Sequence, residues 1–208
     1  ACLVISATSP ELVLAQAFFF PLMISSLGII VGLITSFVST HMISVASLAD
    51  VEKTLKAQLY VSTILMTPCI YLAAQTCLPV HFTFNVVEGG FVTPMRAFCC
   101  SALGLWSGLI IGLTTEYYTS NAYEPVQELA ESCETGAATN IIYGLALGYK
   151  SAIIPVSMLA LAILVSFKLC GMYGIALAAL GMLSNLATTL SIDVYGPICD
   201  NAGCIAEM

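Results

Sequence analysis

The sequence predicts an all-α fold, a polytopic transmembrane helical bundle with about five full spans and the end of a sixth. Hydrophobic residues make up 59% of the 208 residues and charged residues only 8%, whereas a soluble domain carries about 25% charged residues. Long stretches also lack Asp, Glu, Lys and Arg, each near the roughly 20 residues with which a helix crosses about 30 Å of hydrocarbon. So few charges suit an exterior that faces lipid, and we expect a multi-pass membrane protein in a lipid bilayer.

The charge and the cysteines argue against two other classes of protein. The formal net charge is −7, and the five Lys and Arg residues are scattered along the chain, so they form no basic stripe for nucleic acid. The nine cysteines contain no C-x-x-C pair and mostly lie in or beside apolar runs, where cysteine behaves as a small hydrophobe. The two histidines, His41 and His81, are far apart, so neither a disulfide framework nor a zinc site is predicted.

The spans follow one another along the chain. They are expected at roughly residues 18–38, 59–78, 97–115, 140–167 and 172–192, and residues 1–8 are interpreted as the end of an earlier span. Small residues recur at G-x-x-x-G spacing, which lets helix backbones approach closely in lipid. These positions are Gly28 and Gly32, then Gly104, Gly108 and Gly112, then Gly144 and Gly148.

Neither end of the chain coincides with an expected boundary of the predicted spans and connections. The sequence opens with Ala1 in an apolar run and stops at Met208 without a terminating feature. We therefore expect residues 1–208 to be a single transmembrane segment of a longer chain, without a signal peptide. Basic residues in the connections fall two against two on alternating sides, so they do not choose an orientation.

Three connections between spans carry much of the charge. Residues 44–59 indicate a short amphipathic surface helix, or a plain solvated connector, with Glu52 and Lys56 paired at i,i+4. Residues 79–96 are expected to be a connector. Residues 116–134 hold five acids and no base: Glu116, Glu124, Glu128, Glu131 and Glu134. The second, third and fourth of these share one helix face, which either gathers cations or simply faces water.

Acids also recur at the C-terminal end. Asp193, Asp200 and Glu207 are spaced seven apart, so on a helix they lie on nearly one face, about 10 Å from one another. Asn201 stands beside them, and Pro197 is able to kink the helix. Carboxylates in such a row could hold a hard cation such as Mg²⁺ and the anion it carries, or they could only face water past the membrane edge.

Lys150 interrupts an apolar stretch. A charge at membrane depth is costly and often functional. A lysine can also snorkel to an interface, or mark where a long helix leaves the bilayer. The sequence leaves these three interpretations open.

Several runs of the sequence are recognisable. They are TEYYTSNAY at 115–123, TGAATN at 135–140, GLALGYKS at 144–151, YG at 173–174, AALGMLS at 178–184 and the run 192–208. These runs resemble the membrane-bound proton-translocating pyrophosphatases of the vacuolar type. The resemblance spans essentially the whole chain, densely from Thr115 onward and more loosely in residues 1–100.

The resemblance implies an enzyme that hydrolyses magnesium pyrophosphate at a cytosolic site and drives protons, or sodium in some members, across a membrane. It implies Mg²⁺ as cofactor, an undetermined dependence on K⁺, pyrophosphate as substrate, a homodimer, and a vacuolar or acidocalcisome-type membrane. The chain would run from the end of the family's sixth helix through the eleventh, with residues 116–134 and a helix extension at 193–208 on the cytosolic side.

The resemblance also assigns roles to single residues. Asp193, in the I-D-x-Y-G-P motif, matches an aspartate that binds the magnesium–pyrophosphate complex, and Asp200 with Asn201 matches the D-N-A-G motif just beyond it. These two and Glu207 are weaker candidates for the same site. Glu116 and Lys150 are further candidate functional residues.

The chain departs from the family at two positions. Cys204 stands where a second glycine is usual, which affects close packing there, and Glu134 stands where a basic residue is common in plant-type members. The family's main acidic motifs would precede Ala1, and others would follow Met208. We therefore assign no catalytic residue within the chain and expect the segment alone to be inactive. The alternatives are an ion-coupled secondary transporter with an acidic cation site and no hydrolysis, and a bundle without catalysis.

Overall fold

The structure is a computed structural model that describes residues 2–13, 15–42, 48–83 and 91–208. Helices dominate the described ranges. In chain order the elements are α1 (Cys2–Ser6), α2 (Ala15–Phe18), α3 (Phe20–Met42), α4 (Leu48–Cys77), β1 (Phe82–Thr83), β2 (Phe91–Val92), α5 (Pro94–Thr119), α6 (Glu124–Ser132), a 3₁₀ turn (Cys133–Thr135), α7 (Ala137–Leu183) and α8 (Leu186–Glu207).

The all-α polytopic class is confirmed. In the described part of the chain, four helical stretches are long and apolar enough to cross a membrane: Phe20–His41, Lys53–Cys77, Pro94–Thr135 and Ala137–Leu183. Within the described residues, one pair of antiparallel strands accompanies the helices: Phe82 pairs with Val92 and Thr83 with Phe91. It lies inside residues 79–96, which were predicted to be only a connector, and residues 84–90 of that connector lie outside the described ranges.

The helix α7 is two helices joined by a sharp turn. Cys170 has φ −140° and ψ 15°, and Gly171 has φ 60° and ψ −143°, a positive φ that glycine adopts without the strain a Cβ would cause. We call residues 137–169 the first arm and residues 172–183 the second arm. This turn explains the difference between the four stretches observed and the five spans predicted, because α7 contains the fourth predicted span and the start of the fifth.

The two arms run in opposite directions along α5. In the first arm, Tyr143 lies beside Tyr117 of α5, and Ser166 lies beside Cys100 of α5. Residue numbers therefore decrease along α5 as they increase along the first arm. In the second arm, Ala178 packs against Gly104 and Met182 against Gly108, so both numbers rise together. The first arm is therefore antiparallel to α5, and the second arm is parallel to it.

The helix α8 continues in the direction of the second arm. Ser184 packs against Gly28 of α3, and Ala187 packs against Gly32 one turn further along, so α8 runs parallel to α3. A break at Ser184 and Asn185 separates the second arm from α8. Residues 172–192 thus follow one path with an interruption, over a length of about 31 Å at 1.5 Å per residue.

The helix α4 corrects another expectation. A separate surface helix or connector was predicted within residues 44–59, but α4 begins at Leu48 and continues without interruption to Cys77. Apolar residues from position 59 onward anchor it in the bundle, so its charged first turns extend the same helix. The predicted Glu52–Lys56 pair lies outside the described side chains, because that of Glu52 is not among them.

The glycine pattern marks the close helix contacts only in part. A Cβ on Gly28 or Gly104 would lie 2.0 or 1.9 Å from a backbone oxygen of the neighbouring helix, whereas Gly112 and Gly148 have nothing within 4 Å. Close packing is therefore confirmed for the glycines of α3, and on α5 for Gly104 but not for Gly112. The buried core lies around these contacts; its largest fully buried side chains include Tyr173, Phe20, Phe82, Ile24, Met66, Ile70 and Leu177.

Candidate functional site

One end of the bundle collects the acids. Because α5, the second arm of α7 and α8 are parallel, the end of α5 and the end of α8 point the same way. The beginning of α4 lies there too, since Lys56 pairs with Glu116 of α5. We call this region the acidic end, defined by residues 116–134 and 193–208. These ranges contain eight acids and no base, a charge that attracts cations.

The predicted C-terminal stripe is presented on one helix. Asp193, Asp200, Asn201 and Glu207 are all exposed on α8, which stays helical through Pro197. The heptad spacing therefore places the three acids about 10 Å apart along the axis. That separation is too large for two of them to share one ion, and the described residues contain no group of three or more metal-type ligands. The stripe offers separate carboxylates rather than a closed metal site.

The connection from α5 to α6 is held by a charged contact. Lys56 Nζ lies 2.8 Å from Glu116 Oε1, donates to Tyr123 Oη at 3.0 Å, and stands 5.1 Å from the centre of the Tyr123 ring. The two charged side chains are 27% and 36% exposed. Glu116, a candidate functional residue from the sequence, is thus engaged in linking α4, α5 and the loop before α6. The sequence pointed to Glu52 as the neighbour of Lys56, because i,i+4 spacing is visible in a sequence and a contact 60 residues away is not.

A cavity of about 350 Å³ lies beside this contact. Lys150, Glu124 and Glu128 line it, and Tyr143 donates a hydrogen bond to Glu128 across it. Lys150 itself is exposed. Of the three interpretations of Lys150, this placement favours a lysine that reaches from an apolar helix toward the polar acidic end. The other lining residues are Tyr117, Pro125, Ala146 and Leu147.

Sequence reasoning missed the polar contact at the break before α8. Asn185 Nδ2 lies 2.7 Å from Thr63 Oγ1 of α4, and both residues are buried. Each stands in an apolar context and matches no motif, and the two are 122 positions apart. A polar residue within a predicted span was the one signal that could have drawn attention to either of them.

Comparison with known proteins finds one family model and several relatives that match this chain. The sequence matches the family model described as Inorganic H+ pyrophosphatase over residues 1–208. It is 42% identical over 149 residues to the K(+)-stimulated pyrophosphate-energized sodium pump of Thermotoga maritima, covering 69% of this chain and 20% of that protein. Over 200 residues it is 36% identical to the K(+)-insensitive pyrophosphate-energized proton pump of Caldanaerobacter subterraneus subsp. tengcongensis, covering 91% of this chain and 27% of that protein.

A third relative comes from Methanosarcina mazei. It is a K(+)-insensitive pyrophosphate-energized proton pump, 41% identical over 133 residues, with 60% of this chain and 20% of that protein covered. The chain thus spans only 20% to 27% of the length of these relatives.

Proposed function

Because this chain belongs to the inorganic H+ pyrophosphatase family, we propose that it is part of a pump that couples hydrolysis of magnesium pyrophosphate to the transport of protons across a membrane. It is a multi-pass membrane protein. The relatives are pyrophosphate-energised pumps of either sodium or protons, and the choice of the proton follows the family description. No observation favours the alternative of a secondary transporter without hydrolysis.

The observation that carries the proposal is the position of Asp193 on α8. It is the first carboxylate after the apolar path of residues 172–192, and it is exposed at the acidic end. Pyrophosphate is highly anionic, and hard cations such as Mg²⁺ prefer carboxylate oxygens. Asp193 therefore stands where a membrane helix would deliver a magnesium ligand to a site outside the hydrocarbon.

The residues present fit Mg²⁺ as part of a ligand set. Asp193 and Asp200 each supply carboxylate oxygens of the right chemistry, though to separate ions because of their spacing, and Asn201 and Glu207 are weaker candidates. Since neighbouring acids on α8 are about 10 Å apart, one helix cannot surround the ion, and the other ligands would come from elsewhere in the whole protein. When bound, Mg²⁺ would neutralise phosphoryl oxygens and stabilise the charge that develops on them.

Other expectations of the family are proposals too. We propose that the parent protein is a homodimer. Its response to K⁺ is open, because the relatives include both K(+)-stimulated and K(+)-insensitive pumps. A vacuolar or acidocalcisome-type membrane stays a prediction from the resemblance, and the relatives, which are bacterial or archaeal, do not bear on it.

The test uses the full-length parent pump reconstituted in vesicles. Asp193→Asn keeps the shape of the side chain but removes its charge, so we expect both phosphate release and vesicle acidification to be abolished or greatly reduced at equal protein level. Glu207→Gln, two heptads further along the same helix, is the matched control and should matter less. Hydrolysis and pumping at the wild-type rate by Asp193→Asn would show that the α8 stripe only faces water. If wild-type vesicles took up sodium without acidifying, the transported ion would be sodium and not the proton.

A further inference from the structure

We propose that Asn185 is a positioning residue of the pyrophosphate site: its hydrogen bond to Thr63 fixes the direction in which α8 leaves the bundle, and thereby the place of Asp193. The inference rests on the proposed function. It starts from the break in the helical path between the second arm of α7 and α8, where Asn185 has φ −92° and ψ 11°. There the N–H of Ser184 bonds Gly181 O at 3.2 Å, a three-residue spacing in place of the four-residue spacing of an α-helix.

The break falls inside the predicted span of residues 172–192. Residues 172–184 rise about 20 Å at 1.5 Å per residue, against about 30 Å of hydrocarbon. Non-helical backbone at such depth is tolerated only where protein covers it or where it lines a cavity. Here protein covers it, since Ser184 is 4% exposed, Asn185 7% and Thr188 2%.

The contact on the α4 side is a directed hydrogen bond. Thr63 Oγ1 donates its own hydrogen to Leu59 O at 2.9 Å, so a lone pair is left for the amide of Asn185, which donates at 2.7 Å. Thr63 is completely buried. A buried amide that lost this acceptor would carry the cost of desolvation without compensation, so the bond holds α8 against α4 in one orientation.

The contact on the α3 side is made by backbone. A Cβ on Gly28 would lie 2.0 Å from Ser184 O, and one on Gly32 would lie 3.1 Å from Ala187 Cβ. These contacts fix where the break and the first turn of α8 sit on α3. The Asn185–Thr63 bond holds the same region from α4, so it restrains a tilt of α8 away from α4.

A small tilt would reach the candidate metal ligand. Asp193 follows Asn185 by eight residues, or about 12 Å of helix. A tilt of about 5° therefore moves the start of the Asp193 side chain by about 1 Å, and a displacement of that size can cost about a hundredfold in rate when it misplaces a reacting group. Asn185 would touch neither substrate nor metal, and it would act only through α8.

The experiment compares two substitutions of Thr63 in the full-length parent pump. Thr63→Val keeps the shape and removes the acceptor, whereas Thr63→Ser keeps the hydroxyl. We expect Thr63→Val to raise the KM for magnesium pyrophosphate and the Mg²⁺ concentration for half-maximal activity by about tenfold, since a ligand displaced by a fraction of an ångström binds more weakly. Thr63→Ser should stay within about twofold of the wild type, because its bond can still form.

The double variant sharpens the result. Asn185→Ala alone should raise the KM by a similar factor, and adding Thr63→Val to it should change little more, because both substitutions remove the same bond. If Thr63→Val fails to accumulate, Asn185→Ala serves alone, since it leaves no buried amide unpaired.

Each outcome separates this proposal from the one on which it rests. A variant with a lowered melting temperature but an unchanged KM and Mg²⁺ dependence would make the bond merely structural and overturn the inference. A wild-type pump that releases no phosphate would overturn the proposed function, and the role of Asn185 with it.

Discussion

Gly104 and Ala178 meet through their backbones: a Cβ on Gly104 would lie 1.9 Å from Ala178 O. The contact is reciprocated one turn away, where a Cβ on Gly181 would lie 2.0 Å from Ser101 O. With no side chain between them, α5 and the second arm of α7 are in backbone contact at these positions. This contact fixes the second arm of α7 on α5, and α8 extends from the end of that arm.

Gly104→Ala should therefore destabilise the chain. The added methyl group would clash with backbone, which cannot move aside as a flexible side chain can, and we expect a loss of about 1–3 kcal/mol. Thermal melting of the purified chain in detergent would measure it. Gly112→Ala is the matched control, since nothing lies within 4 Å of that position and both substitutions gain the same helix propensity. Equal melting temperatures would contradict the backbone contact.

The directions of the helices predict which side of the membrane each end faces. Ser120 follows α5 and Asn201 lies near the end of α8, so cysteines at these positions in a cysteine-free variant should react with a membrane-impermeant maleimide from the same side. Lys168→Cys, which precedes the turn between the arms of α7 and is exposed, should react only from the opposite side. Labelling of positions 120 and 201 from opposite sides would show that α5 and α8 are not parallel.

Lys56→Met should loosen the loop that leads into α6. The substitution removes the contacts of Lys56 with both Glu116 and Tyr123, so cleavage of intact vesicles by chymotrypsin near Tyr123 should become several-fold faster. The loss in the free energy of unfolding should stay below about 1 kcal/mol, because the ion pair is partly exposed and screened by solvent. Lys53→Met, one turn earlier on α4, is the control and should cleave like the wild type. Unchanged cleavage of Lys56→Met would show that the loop is held by other contacts.

The hydrogen bonds of the Glu11 carboxylate predict that the protein loses stability at low pH. Ser9 Oγ donates to it at 2.8 Å, and the backbone and hydroxyl of Thr83 donate at 3.3 and 3.2 Å; these hydrogen bonds, that of Ser9 foremost, hold the pKa of the Glu11 carboxyl below its ordinary value of 4.5. A lowered pKa in the folded state gives stability that is present above the ordinary value and lost as the pH falls through the lower folded value.

The melting temperature should therefore decline on acidification from pH 5 downward, and Glu11→Gln should reduce that decline. Glu134→Gln, an exposed glutamate at the opposite end, provides the control. If Glu11→Gln and the wild type lost stability in parallel below pH 4.5, the contact with the hairpin of β1 and β2 would contribute nothing.

The sequence was sufficient for the class and for the approximate course of the helices, because a charge-free apolar stretch of about 20 residues has few outcomes other than a membrane helix. The heptad spacing of Asp193, Asp200 and Glu207 also predicted the stripe that α8 presents, with Asn201 beside it. Their function as ligands of magnesium pyrophosphate stays a prediction from the resemblance.

Contacts between residues far apart in the sequence could not be predicted, because a sequence pattern relates only nearby positions. The Lys56–Glu116 pair and the Asn185–Thr63 bond each join residues that no local periodicity relates. The turn at Gly171 fell in the gap between two predicted spans, but its sharpness depends on one positive φ rather than on a run of turn-forming residues. Gly104 and Gly112 share one motif, yet only the first meets a neighbouring helix, because a repeat does not reveal which of its members faces a partner.

The turn at Gly171 divides the helical length on its two sides unequally. The second arm is only 12 residues, about 18 Å of helix, which is too short to cross the hydrocarbon without the start of α8. A crossing after the turn therefore needs both the second arm and the first turns of α8, so we expect a chain that ends at Leu183 to leave the second arm unable to span a bilayer.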